Sequence, residues 1–124
     1  MRKAFTMIEL VFVIVVIGIL AGVAIPKFAA TRDDAVISKA RATVGALRSA
    51  IATERQKRIL RGTFDDINGS TVEGLLEYGL GSGWSRSGDT FTFTGPGGKS
   101  CVFKVENNKF VKQSDCNVSG FSDL

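Results

Sequence analysis

The sequence predicts an α+β fold in which one long N-terminal α-helix spans a membrane with its first half and packs its second half on a small antiparallel β-sheet. Three observations predict it. Phe5 to Ile25 is almost unbroken hydrocarbon, residues 31–62 carry apolar side chains at helical spacing, and three short stretches from residue 90 onward alternate apolar with polar residues as strands do. Charge divides along the same line: residues 1–61 hold eleven of the sixteen Lys/Arg and four of the twelve Asp/Glu, so the two parts carry +7 and −3.

Within Phe5–Ile25 only Thr6 and Glu9 are polar. Roughly 21 residues at about 1.5 Å rise give about 32 Å of helix, which matches a bilayer core of about 30 Å. The Leu, Ile, Val and Phe residues contribute roughly −4 to −8 kcal/mol to insertion, against about +3 for a central acid and less for one near an end. The segment therefore inserts despite Glu9. Two simpler readings leave the acid unexplained. A cleaved secretory signal fits the basic start (Arg2, Lys3) and the small residues of AGVA and FAA, but the apolar run of a signal spans only roughly 7–15 residues. A plain single-span anchor has no use for an intramembrane carboxylate, a group that is usually functional there. Gly18, Gly22 and Pro26 punctuate the helix. Each glycine lowers helical stability by about 1 kcal/mol relative to alanine, Pro26 removes a backbone donor and crowds the preceding turn, and small residues also permit close packing of membrane helices.

Beyond Pro26, TRDDAVISKARATVGALRSAIATERQKRILRG reads as a continuing helix, with Thr31 as a cap, Asp33 and Asp34 in the first turn and Gly62 at the end. Val36, Ala40, Val44, Leu47 and Ile51 form one apolar stripe that is expected to pack on the C-terminal domain. Arg41, Arg48 and Arg55 recur every seven residues on another face, followed by Lys57, Arg58 and Arg61. Such a face is expected to be solvated or turned toward a neighbour; its charge suits a DNA backbone, but nothing in it reads bases. TFDDINGS is a turn-rich connection, TVEGLLEYG a short helix offering Leu75, Leu76 and Tyr78 for packing, and GLGSGWSRSGD a loop. TFTFT, SCVFKVE and KFVKQ then read as strands, the last two joined through Asn107 and Asn108 in a tight hairpin. Phe91, Phe93, Val102 or Phe103, Val105 and Phe110 are expected to face the helix.

The stretch AFTMIELVFVIVVIGILAGVAIPKF resembles the N-terminus of type IV pilin-like proteins, the pilins and pseudopilins. The likeness is specific across Lys3–Phe28 and looser afterwards. It implies that a membrane prepilin peptidase cuts between Ala4 and Phe5, removes the leader MRKA and methylates the new amino group of Phe5. The membrane helix is then retained. Ala4 stands where the family usually has glycine, which keeps a small residue before the cut. The resemblance also implies that Glu9 pairs with the Phe5 amine of a neighbouring subunit. Opposite charges in low dielectric attract strongly and cost much when unpaired, so such a pair sets the axial stagger of a filament. In the family, the stretch from Gly18 through Gly22 to Pro26 is where the helix loosens during extraction and assembly. The implied organisation is a leader at 1–4, a transmembrane and polymerisation helix at 5–26, its amphipathic continuation at 27–61, and a small periplasmic α+β domain at 62–124.

Cys101 and Cys116 can close a 16-residue ring, worth about 3 kcal/mol as a disulfide; a small domain outside the cytoplasm gains from that staple more than from two buried thiols. Arg2 and Lys3 on one side of the span face Lys27 and Arg32 on the other, so the charge rule does not orient it. The cysteines and the resemblance place the C-terminal domain in the periplasm. The chain has no His, the commonest catalytic base and metal ligand, and its two cysteines are too few for a Cys-only zinc site. GPGGKS lacks the first glycine and following helix of a phosphate-binding loop, DDINGS lacks the acidic spacing of an EF-hand, and Asp115, Asn117 and Asp123 read as a solvated loop more than as a calcium site. No enzyme activity, cofactor or metal is expected. The expected function is that of a structural subunit, self-associating into a helical filament that an inner-membrane platform with a motor ATPase extracts and stacks. Type II secretion ranks first among its uses, DNA uptake in transformation second, and adhesion or twitching pili third. The competing reading is a membrane-anchored or secreted binding module that uses the Phe-rich sheet.

Overall fold

In a computed structural model the described residues are 4–124, so of the leader expected at residues 1–4 only Ala4 falls within them. The elements are α1 (Met7–Leu60), α2 (Gly69–Leu75), β1 (Trp84–Ser87), β2 (Thr90–Thr94), a 3-10 turn at Pro96–Gly98, β3 (Ser100–Glu106) and β4 (Lys109–Cys116). The four strands form one sheet in the order β1-β2-β3-β4, antiparallel throughout. The chain divides into two compact units, one ending at Asp34 and the other Ala35–Leu124.

In the first unit every large apolar side chain from Phe5 to Phe28 is exposed. A helix that is apolar all round belongs in a core or a bilayer, and here no residue of the most apolar stretch is buried by the protein itself. The helix runs unbroken through Pro26. Thr31 therefore has no N-terminus to cap, contrary to the sequence expectation; its hydroxyl donates to the Lys27 carbonyl at 2.9 Å, one turn back.

In the second unit α1 ends as the sequence predicts. Gly62 takes φ 79°, its N–H reaches the Ile59 carbonyl at 3.0 Å, and the Thr63 N–H reaches that of Arg58 at 2.8 Å, the paired bonds of a Schellman cap. Ala40, Val44, Leu47 and Ile51 are buried against the sheet's inner face, which presents Phe91, Phe93, Cys101, Phe103, Val105 and Phe110. Phe103, not Val102, points inward, so the alternation is settled in that register. Val36 is 38% exposed and Ile37 packs in its place. The steps from Ile37 to Ala40, Val44, Leu47 and Ile51 alternate three and four residues, which holds a stripe on one side of a helix, whereas Val36 falls one position off it.

Two further expectations are corrected. Trp84–Ser87, read as loop, is strand β1, paired from Trp84↔Phe93 to Ser87↔Thr90. The two residues between the strands are Gly88, at φ 59°, and Asp89, a hairpin turn led by glycine. The second correction concerns α2, which starts at Gly69 and stops at Leu75, so Tyr78 lies beyond it and is 91% exposed while Leu76 packs on the core. The predicted Asn107–Asn108 turn is present, with φ of 50° and 61° and Glu106 opposite Lys109. Cys101 and Cys116 are cross-strand partners joined by the expected disulfide, their Cα atoms 4.0 Å apart.

Candidate functional site

The first helical turn carries the residues singled out from the sequence. Ala4, Phe5 and Thr6 precede the helix. The Thr6 hydroxyl oxygen accepts the Glu9 N–H at 3.1 Å, and the Thr6 carbonyl accepts the Leu10 N–H at 3.0 Å. Thr6 is thus the N-cap, and Thr6-x-x-Glu9 has the spacing of a capping box. The sequence reading assigned Thr6 no role, although a threonine three residues before an acid at the head of an apolar run is the signal for it. Glu9 sits where the helix dipole favours a carboxylate, and among the described residues its side chain has no ion-pair partner. Phe5 is 76% exposed. The geometry leaves both Phe5 and the Glu9 carboxylate accessible to another molecule and brings no second charge to Glu9 within the described part of this chain.

Further along, a Cβ built on Gly18 or Gly22 would meet nothing within 4 Å, so neither glycine is required by a contact inside the chain. Pro26 has no N–H for the carbonyl four residues earlier, which is that of Gly22. The glycine and the proline thus weaken the same turn.

On the basic face of α1, expected to be solvated or turned toward a neighbour, Arg55, Lys57 and Arg61 are exposed, whereas Arg41 and Arg48 are engaged within the domain. Arg41 donates from Nη1 and Nη2 to the Asp123 carboxylate at 2.6 and 2.8 Å and also to the Gly120 carbonyl. Arg48 donates to the Phe110 carbonyl at 3.2 Å and to the Leu124 backbone oxygen at 2.5 Å, and Lys112 Nζ donates to the Phe121 and Ser122 carbonyls at 2.6 and 3.2 Å. These bonds hold the segment after β4 across the domain, with Phe121 buried in the core. The hydrogen bonds from Arg41 hold the Asp123 carboxyl at about 2, and that carboxylate in turn raises Arg41 above its ordinary value. Asn117 Oδ1 accepts the Ser100 N–H at 2.9 Å, so two of the three oxygens weighed for calcium serve the chain itself. Among the described residues no three His, Cys, Asp or Glu gather as a metal site.

Residues 1–25 match the family described as the prokaryotic N-terminal methylation motif. The type IV narrow pilus major component PilA5 of Thermus thermophilus is 39% identical over 119 residues, covering 86% of this chain and 97% of that protein. The type IV major fimbrial protein FimA of Dichelobacter nodosus is 34% identical over 108 residues, covering 86% of this chain and 64% of FimA. A fimbrial protein of Moraxella nonliquefaciens is 42% identical over 55 residues, 44% of this chain and 36% of its own. No solved structure matches at a comparable level of significance.

Proposed function

The chain belongs to the type IV pilin family, and we propose from that premise that it is a subunit of a type IV pilus, processed at Ala4–Phe5, methylated on Phe5 and polymerised through its apolar helix. Pilins are structural proteins, not enzymes; they are cut by a prepilin peptidase and assemble into filaments. The observation that carries the reading is the coincidence of the methylation motif at residues 1–25 with an apolar helix that none of the described residues covers. Packing copies of that helix together removes its surface from lipid and water alike.

In this reading residues 1–4 are the leader, residues 5–26 the transmembrane and polymerisation helix, residues 27–61 its continuation and residues 62–124 the folded domain, held in the periplasm before assembly. Glu9 meets the Phe5 amine of the neighbouring subunit, and the turn shared by Gly22 and Pro26, with Gly18 before it, gives way when a platform and its motor ATPase draw the subunit from the membrane. Type II secretion, ranked first from the sequence, moves behind the surface pilus, because the named relatives are pilus and fimbrial components. DNA uptake through such a pilus remains a further use that the basic helix face supports only by its charge.

The test is the intact mass of the protein taken from membranes and from sheared filaments. Loss of Met1–Ala4 with gain of one methyl is the expected result; an N-terminus still at Met1, or cleavage near residue 24 or 30, overturns the proposal. Glu9→Ala is expected to give a cleaved, inserted chain that forms few filaments, since the neighbour's amine is then buried without a partner. Wild-type filament numbers from that variant remove the role given to Glu9.

A further inference from the structure

Between α1 and the edge strand β4 runs a groove of about 580 Å³. Its floor is apolar, with Ile51, Phe110 and Val111, and its rim carries Arg48, Arg55, Lys109 and Lys112 with no Asp or Glu among the lining residues. Among the described residues none of these four cations pairs with an Asp or Glu side chain. Arg48 and Lys112 reach backbone oxygens, whereas the side chains of Arg55 and Lys109 make no hydrogen bond there. Lysines on an edge strand guard against unwanted strand pairing, but that function does not account for Arg48 and Arg55, which lie on the helix. Four like charges around an apolar floor call for an occupant that brings both an anion and an apolar group.

The same domain carries such a pair at its other edge. The connection from α2 into β1, the strand at the opposite end of the sheet from β4, exposes Glu77 and leaves Tyr78 91% accessible. Glu77 has no ion-pair partner among the described residues. The Glu73–Arg86 pair ties α2 to β1 just before this corner, so the corner is presented from a braced element. An exposed tyrosine is a characteristic anchor of protein interfaces.

We propose that the groove receives the Glu77–Tyr78 corner of a second copy of this chain, the ring lying on the Ile51–Val111 floor and the carboxylate between Arg55 and Lys109. Groove and corner are different surfaces at opposite sheet edges, so each copy receives at one edge and inserts at the other. A contact of this heterologous kind propagates instead of closing into a dimer. The inference rests on the filament reading above and adds to it a contact between folded domains, separate from the helical segment.

The experiment expresses the whole chain and uses filaments sheared from cells. With p-benzoylphenylalanine at position 78, irradiation is expected to join copies at residues 48–55 or 109–112; with the photoreactive residue at 111, the crosslink is expected at residues 76–80. Glu77→Arg is expected to lower filament yield roughly tenfold or more through like-charge contact, and combining it with Lys109→Glu to restore most of the loss. Crosslinks to other protein segments, to lipid or to nucleic acid overturn the proposal, as does a charge exchange that restores nothing. Those outcomes occur in a protein that is still cleaved, methylated and filamentous in its wild-type form, so they are distinct from failure of the filament reading, which shows in the intact mass and in the absence of filaments altogether.

Discussion

Asp123 shows how a single exposed residue acquires a structural role that its position in the sequence does not announce. Its partner Arg41 is 82 residues away, and the seven-residue recurrence of Arg41, Arg48 and Arg55 suggested a face that is solvated or turned toward a neighbour. Proximity depends on the chain after β4 folding back, which no local pattern encodes. The carboxyl, held at about 2 against an ordinary 3.8, contributes stability that is present above the ordinary value and is lost as pH falls through about 2. Asp123→Asn is therefore expected to lower the thermal midpoint of the detergent-solubilised chain at neutral pH, with the gap from wild type closing between about pH 4 and pH 2. The effect is small and diminishes with added salt, because the pair is open to solvent. A gap that stays constant down to pH 2 contradicts the assignment. Thr6 and Glu9 stand at the other extreme, since both partners of that contact lie within one turn and the motif is readable in four residues.

Among the elements, those defined by period and turn chemistry were legible and those defined by close approach were not. TFTFT and SCVFKVE announced β2 and β3 by alternation, and Asn107–Asn108 supplied the positive φ that the β3–β4 hairpin requires. The polar WSRS run hid β1, whose one signal was Gly-Asp before TFTFT; its pairing is supplied by β2, not by its own hydrophobicity. The start of α2 is a matter of space. Asn68 caps it through the Thr71 N–H at 2.9 Å, and the Gly69 N–H donates to Asp89 at 2.7 Å, which draws α2 against the β1–β2 turn. A Cβ on Gly69 would fall 2.2 Å from the Gly88 carbonyl oxygen and 2.8 Å from the Asp89 Cα. Gly69→Ala is thus expected to destabilise the domain by about 1–3 kcal/mol, read as a lower denaturation midpoint, whereas Gly45→Ala, where nothing lies within 4 Å, is expected to be neutral or stabilising. Equal effects at the two positions refute the packing argument.

For the whole molecule, the domain from Ala35 onward is small and depends on closure by segments distant in sequence. The Cys101–Cys116 bond joins β3 to the end of β4, where the register shifts between Cys101 and Phe103, and Phe121 fills the core beneath it. Replacing both cysteines by serine is expected to cost about 2–4 kcal/mol, seen as a lower unfolding midpoint of the unreduced protein and a loss of any response to reductant. A midpoint unchanged by the double substitution shows that the C-terminal segment is held without the disulfide, by Phe121 and the hydrogen bonds of Arg41, Arg48, Lys112 and Asn117. By itself the sequence determined the membrane helix, its acid and the pilin family, because partition into a bilayer and recognition of a contiguous motif depend on composition and order along one stretch. Only the tertiary structure decided that Ile37 replaces Val36, that Arg41 and Arg48 clasp the chain's end, and that a cationic groove opens beside β4. Each of these depends on which distant residues meet, and that is settled by packing shape instead of by any local period.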